Sequence, residues 1–182
     1  MIQTGSNPNR SSSVRAAWRL APRLAVVIAL TGVNSAASAA DNDRIAMGAL
    51  SAAYVVNAIH GARLAIRDDL HEAPFGVRSN RPVKREFLAG TGTAFSPGLP
   101  MLVTQVASTV LAFQTDGTAR TGALLLAIHG GGYFVGGMAE PETYRTLRHP
   151  RRAGVAKVIA VIGELAIPPV LAVQAMRVRD DR

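Results

Sequence analysis

The residues of this chain best suited to chemistry stand in one run, His129-Gly130-Gly131-Gly132. An apolar stretch, Ala123–Ile128, leads straight into them, and Gly136-Gly137 follow. This order predicts a strand that ends in a sharp turn, where glycines leave backbone N–H groups bare for something negatively charged. A dinucleotide site would need Gly-x-Gly-x-x-Gly. Counted from Gly130, its last position is Val135, and no acid follows at the spacing that holds a ribose. A purely structural glycine loop is the other reading of the same residues, and His129 alone reads as a structural histidine. Asp68, Asp69, His71 and Glu72 could share one helical face, but they read as a solvated helix end rather than a metal site. No cofactor and no metal are expected. The chain has no cysteine, which excludes disulfides, thiolate metal sites and a cysteine nucleophile.

These residues need elements to position them. With 182 residues and 48% hydrophobic content, the chain reads as one globular domain preceded by a targeting segment. Residues 1–39 have the order of an export signal. Arg10, Arg15, Arg19 and Arg23 form an acid-free basic leader, Leu24–Val33 is apolar, and Ala37-Ser38-Ala39 offers a small-residue cleavage site. Polar Thr31, Asn34, Ser35 and Ser38 cut the apolar run short of a span, so no stable membrane span is expected. The protein is expected to be exported, either periplasmic or secreted. Setting the leader aside lowers the formal net charge from +8 to +4, which argues against nucleic acid as a partner.

Residues 40–100 read as a helical segment followed by a connector. Asp41–Asp69 predicts one or two helices weakened at Gly48 and Gly61, and Pro74–Pro100 is rich in turn formers. Leu102–Phe113 has a β-favouring composition, and Thr115-Asp116-Gly117 supplies a turn. Pro141 suits the first turn of a helix running to about Arg148, which Pro150 must end or kink, with Gly154 as a stop. Lys157–Ile162 then reads as a second strand. Strand, turn, helix and strand make a βαβ unit, so the fold class expected is α/β with N-terminal helices.

His129-Gly130-Gly131-Gly132-Tyr133 resembles the oxyanion loop of α/β-hydrolase-fold esterases and lipases, within the hormone-sensitive-lipase-like group. Flanking residues extend the likeness: Gly136-Gly137, Glu142-Thr143-Tyr144-Arg145 and Ala153–Val161. The resemblance covers roughly residues 108–161 and makes residues 101–182 a partial α/β-hydrolase domain, with residues 40–100 in the place of a cap. It implies hydrolysis of a small-molecule ester or lipid. Gly130, Gly131 and Gly132 become oxyanion-hole residues, with Gly131 and Gly132 as the donors, and His129 a loop-shaping residue.

The likeness stops where a nucleophile is due. No serine occurs between Tyr133 and Arg182, and Thr143, Thr146, His149, Asp180 and Asp181 make no triad in order. Beyond the second strand the chain reads Val161-Ile162-Gly163-Glu164-Leu165-Ala166-Ile167-Pro168, which keeps only Val161, Leu165 and Ala166 of the family's pattern. Sequence therefore predicts a chain whose family pattern is lost before the nucleophile, by truncation, frameshift or gene decay, and which is inactive by itself, with no catalytic residue. An exposed apolar strand edge should make it poorly soluble. A different class of reading is a non-catalytic exported binding or structural protein. A third is a polyanion or membrane-surface binder using Arg145–Arg152, set against a solvated helix face.

Overall fold

The structure, a computed structural model, describes residues 39–70, 81–90 and 92–180. Its elements in chain order are α1 (Ala39–Arg67), α2 (Val83–Ala89), β1 (Gly92–Thr93), β2 (Ser96–Pro97), α3 (Leu99–Ala112), α4 (Thr118–Ala139), α5 (Pro141–Arg148), α6 (Pro150–Ala153) and α7 (Val155–Asp180). The α/β expectation is overturned. The described residues hold one sheet, of two short antiparallel strands with Gly92 opposite Pro97 and Thr93 opposite Ser96. The export signal read in residues 1–39 falls almost wholly outside the described residues.

Each of the expected strands lies in a helix. Leu102–Phe113 falls on α3, Ala123–Ile128 on α4 and Lys157–Ile162 on α7. The physical reason lies in periodicity. On α4 the buried positions are Ala119, Gly122, Ala123, Leu126, Gly130, Tyr133 and Gly137, steps of one, three or four that trace one helical face. Leu124, Ile128, Val135 and Met138 face outward and are also apolar. A helix that is apolar all round looks, over six residues, like a buried strand.

Other punctuation stands where the sequence placed it. Pro141 opens α5, which ends at Arg148, and Gly154 follows α6 at φ 85°, a left-handed conformation natural to glycine. Asp116 Oδ1 accepts the Thr118 N–H at 3.0 Å in the turn between α3 and α4. Gly48 and Gly61 leave α1 unbroken and face Phe113 and Phe95.

The long helices form an up-down-up-down bundle in the order α1, α3, α4, α7. Gln174 Nε2 donates to Asp43 Oδ1 at 2.6 Å, and His60 Nε2 meets Ala156 O at 3.3 Å, so α7 runs antiparallel to α1. Tyr133 of α4 donates to Met101 O at the start of α3, and Thr104 pairs with His129, so those two helices are antiparallel as well. The α7 helix packs most extensively, on α4 and α1. We call the end at the N-terminus of α1 proximal and the end at its C-terminus distal. Three apolar layers fill the interior. Met47, Leu126 and Leu171 lie proximally, Tyr54, Leu102 and Tyr133 centrally, and Leu64, Phe95 and Val161 distally.

Large apolar side chains also cover much of the outside of the bundle. Ile128, Val135, Ile162, Val170 and Val173 are each more than half exposed. Helix α1 over Asp41–Arg67, with α4 and α7, is long and apolar enough to cross a membrane by length and composition.

Candidate functional site

The glycine run does not build the turn expected of it. Gly130, Gly131 and Gly132 lie inside α4, where interior N–H groups are taken by carbonyls four residues back. An oxyanion hole needs those groups free, so that assignment is corrected. Gly130 faces α7: a Cβ there would come 2.6 Å from Pro168 O. Gly131 and Gly132 face open space. His129 Nδ1 donates to Leu125 O at 2.7 Å, and its Nε2 lies 3.0 Å from Thr104 Oγ1, so its ring ties α4 to α3. That linking role belongs to helix packing, not to shaping a catalytic loop.

Other singled-out residues are dispersed. Thr143 and Thr146 are buried on α5, whereas His149 lines a surface pocket of about 460 Å³ with Ala139, Pro141, Tyr144, Arg145 and Arg148. Asp180 pairs with Arg179 at 2.7 Å. Asp68 lies at the distal end against Arg67 (2.6 Å) and Lys157 (2.9 Å). Hydrogen bonds from Arg67 and then Lys157 hold its carboxyl well below the usual carboxylate range. His71, Glu72 and Asp181 lie outside the described residues. Among the described residues no group of three or more His, Asp or Glu side chains could hold a metal ion.

What the fold brings together instead is a set of polar side chains inside the bundle. Tyr54 on α1 is fully buried and its hydroxyl donates to Glu164 Oε1 on α7 at 2.8 Å. The Tyr133 ring of α4 stacks on Tyr54 with centroids 4.8 Å apart and planes 19° from parallel. Glu164 is 7% exposed, and its Oε2 has no hydrogen-bond partner among the described residues. Gly137 lets α4 approach it, since a Cβ there would come 2.9 Å from Glu164 Cγ. One helical turn beyond Glu164, Pro168 and Pro169 supply no N–H groups. The carbonyls of Glu164 and Leu165 thereby lose their intrahelical donors.

Toward the proximal end, Gln105 Nε2 donates to Ser51 Oγ (3.0 Å) and Ser51 O (3.2 Å). Thr109 spends its only hydroxyl proton on Gln105 O at 2.9 Å. Ser51 is therefore the donor in its 2.7 Å bond to Thr109. Toward the distal end, Asn57 Nδ2 donates to Ala160 O at 3.0 Å, and Glu140, Thr143 and Thr146 are buried where α4 passes into α5.

Sequence reasoning passed over Glu164 as a departure from a family pattern and gave Tyr54 no role. A usable signal was present. Glu164 is the only charged residue between Lys157 and Arg177.

Comparison with protein-family models, curated proteins and solved structures finds no match to this chain. Together with the helical architecture, this removes the esterase and lipase identification. The truncation reading goes with it, because no strand ends at His129 to need a nucleophile strand beside it.

Proposed function

We propose that the protein is an integral membrane helical bundle that handles a small polar or ionic species at the centre formed by Tyr54, Tyr133 and Glu164. One observation carries the reading: large aliphatic side chains cover the outer faces of a bundle that also buries polar groups among its apolar layers. Hydroxyl, amide and carboxyl groups face the bundle interior, while large aliphatic residues cover its outer faces. In water that arrangement leaves a broad apolar surface exposed and still desolvates polar groups, and both are unfavourable. In a bilayer it is the favoured one, because lipid tails accept aliphatic side chains and polar groups must find partners between helices.

Three further features support it. Uncharged or nearly uncharged stretches run from Ile45 to Ala62, Thr121 to Ala139 and Val158 to Met176. At about 1.5 Å per residue each is close to the ~30 Å hydrocarbon thickness. Small residues line the helix contact, with Gly130 and Gly137 against α7, as expected where packing rather than water drives association. Arginines and lysines concentrate distally at Arg63, Arg67, Arg145, Arg148, Arg151, Arg152 and Lys157, against proximal Arg44, Arg120, Arg177 and Arg179. That asymmetry supports a cytoplasmic distal end. The leader read in residues 1–39 would then deliver the start of α1 to the opposite side. At 14 residues α3 is too short to cross alone. The β1–β2 hairpin together with α3 carries the chain from the distal end of α1 to the proximal start of α4, packed on α1, α2 and α4.

This reading replaces the expectation of no stable span and of an ester substrate. Fractionation tests it: the full chain should stay with membranes through an alkaline carbonate wash and need detergent for release. Release by carbonate alone would favour a soluble binding or structural protein.

A further inference from the structure

We infer that Glu164 is an exchangeable proton-binding site at the centre of the bundle. This deepens the membrane reading and rests on it. A carboxylate enclosed between helices must be compensated, since leaving its charge bare in a low-dielectric interior is costly. Among the described residues no cationic side chain does this. The titratable groups facing Glu164 are Tyr54 from α1, Tyr133 from α4 and Glu140 at the end of α4. Helix α3 carries no titratable residue.

The remaining oxygens favour a proton over a metal cation. A metal ion would need several oxygen ligands converging on one point. Here the nearest hydroxyl, that of Tyr54, is already a donor to Oε1. Oε2 is buried, without a hydrogen-bond partner among the described residues, and it is the atom left to react. The step is simple: the ionised carboxylate takes one proton at Oε2, forming one O–H bond and becoming neutral, and the reverse step releases it. The Tyr54 bond to Oε1 is compatible with both forms, so the tyrosine holds the carboxyl in place throughout.

Buried polar groups also lie to either side of this centre. Proximally lie Ser51, Gln105 and Thr109, where Gln105 Oε1 is a further buried oxygen without a hydrogen-bond partner among the described residues. Distally, Glu140 and Thr146 are buried where α4 passes into α5, and Thr146 Oγ1 has no hydrogen-bond partner among the described residues. Pro168 and Pro169 weaken the α7 ladder beside the carboxyl, which gives that turn freedom to move as the charge changes.

The test uses the full chain in phosphatidylcholine nanodiscs, with infrared difference spectra recorded across a pH titration. A carboxylic-acid carbonyl band should titrate in the wild type, be lost in Glu164→Gln and persist in Glu142→Gln. Tyr54→Phe should shift both its frequency and its midpoint. Should Glu164→Gln not assemble, carbon-13 glutamate labelling of wild type and Tyr54→Phe gives the same answer, and a labelled band that does not move overturns the site. An unchanged band in Glu164→Gln also overturns it, as does a band abolished by sodium at constant pH. Retention in membranes without a Glu164 band defeats the site alone. A titrating Glu164 band in a protein released by carbonate defeats the membrane reading alone.

Discussion

Helices α4 and α7 lie face to face, and they divide what the sequence made conspicuous from what the structure makes reactive. The His129-Gly130-Gly131-Gly132 run of α4 is the loudest pattern in the chain, yet it is contact surface. On α7, one glutamate in an apolar stretch, followed by two prolines, is a quiet pattern that forms the centre of the bundle. Glycine suits both a bare-backbone turn and the close approach of two helices. Only the periodicity of its neighbours separates the two uses. A lone acid in an apolar run needs no motif, because desolvation alone makes it exceptional.

Substitutions at successive glycines break this comparison most sharply. Gly130→Leu drives a side chain into Pro168 and should lower stability in detergent by ~3 kcal/mol or more, with loss of the sharp wild-type peak on gel filtration. Glu164→Ala removes the partner of a buried Tyr54 hydroxyl and should cost about 1–3 kcal/mol in a denaturant titration. Tyr54→Phe deletes the hydroxyl but keeps the ring stacked on Tyr133, so about 1 kcal/mol is expected. Gly131→Ala runs the other way. It adds a methyl into open space on a helix and should stabilise by up to ~1 kcal/mol in the same assay. An oxyanion donor would gain nothing from that change.

The smallest effect belongs to Asp68 at the distal end. Its folded-state acidity is strengthened by Arg67 and Lys157, so its contribution is present above the ordinary carboxylate range. That contribution is lost as pH falls toward the folded value. Asp68→Asn should therefore lose a little stability at neutral pH and flatten the acid limb of a stability–pH curve. The pair is largely solvated, which keeps the change small.

Local punctuation was legible in the sequence, because caps and prolines act on their own neighbours. Pro141, Arg148 and Gly154 bound α5 and α6 where their chemistry says they should. Helix type in α3, α4 and the first turns of α7 was not legible from composition. Val103, Val106 and Val110 of α3 and Val158, Ile159, Val161 and Ile162 of α7 are β-branched residues whose strand preference yields to bundle packing. The site itself was legible only as one unexplained charge. Its partner Tyr54 lies 110 residues away in sequence, and only the antiparallel pairing of α1 with α7 brings them together.

Because the chain contains no cysteine, single cysteines report directly on whether the outer face lies in lipid. Ile128→Cys, Ile162→Cys and Val173→Cys occupy exposed positions in the middle of helices, and Arg151→Cys sits at the distal end. Treated with a membrane-impermeant maleimide in opened native membranes, Arg151→Cys should label quickly and the three mid-helix cysteines hardly at all. Equal labelling at all four positions would place the apolar face in water and contradict the membrane bundle.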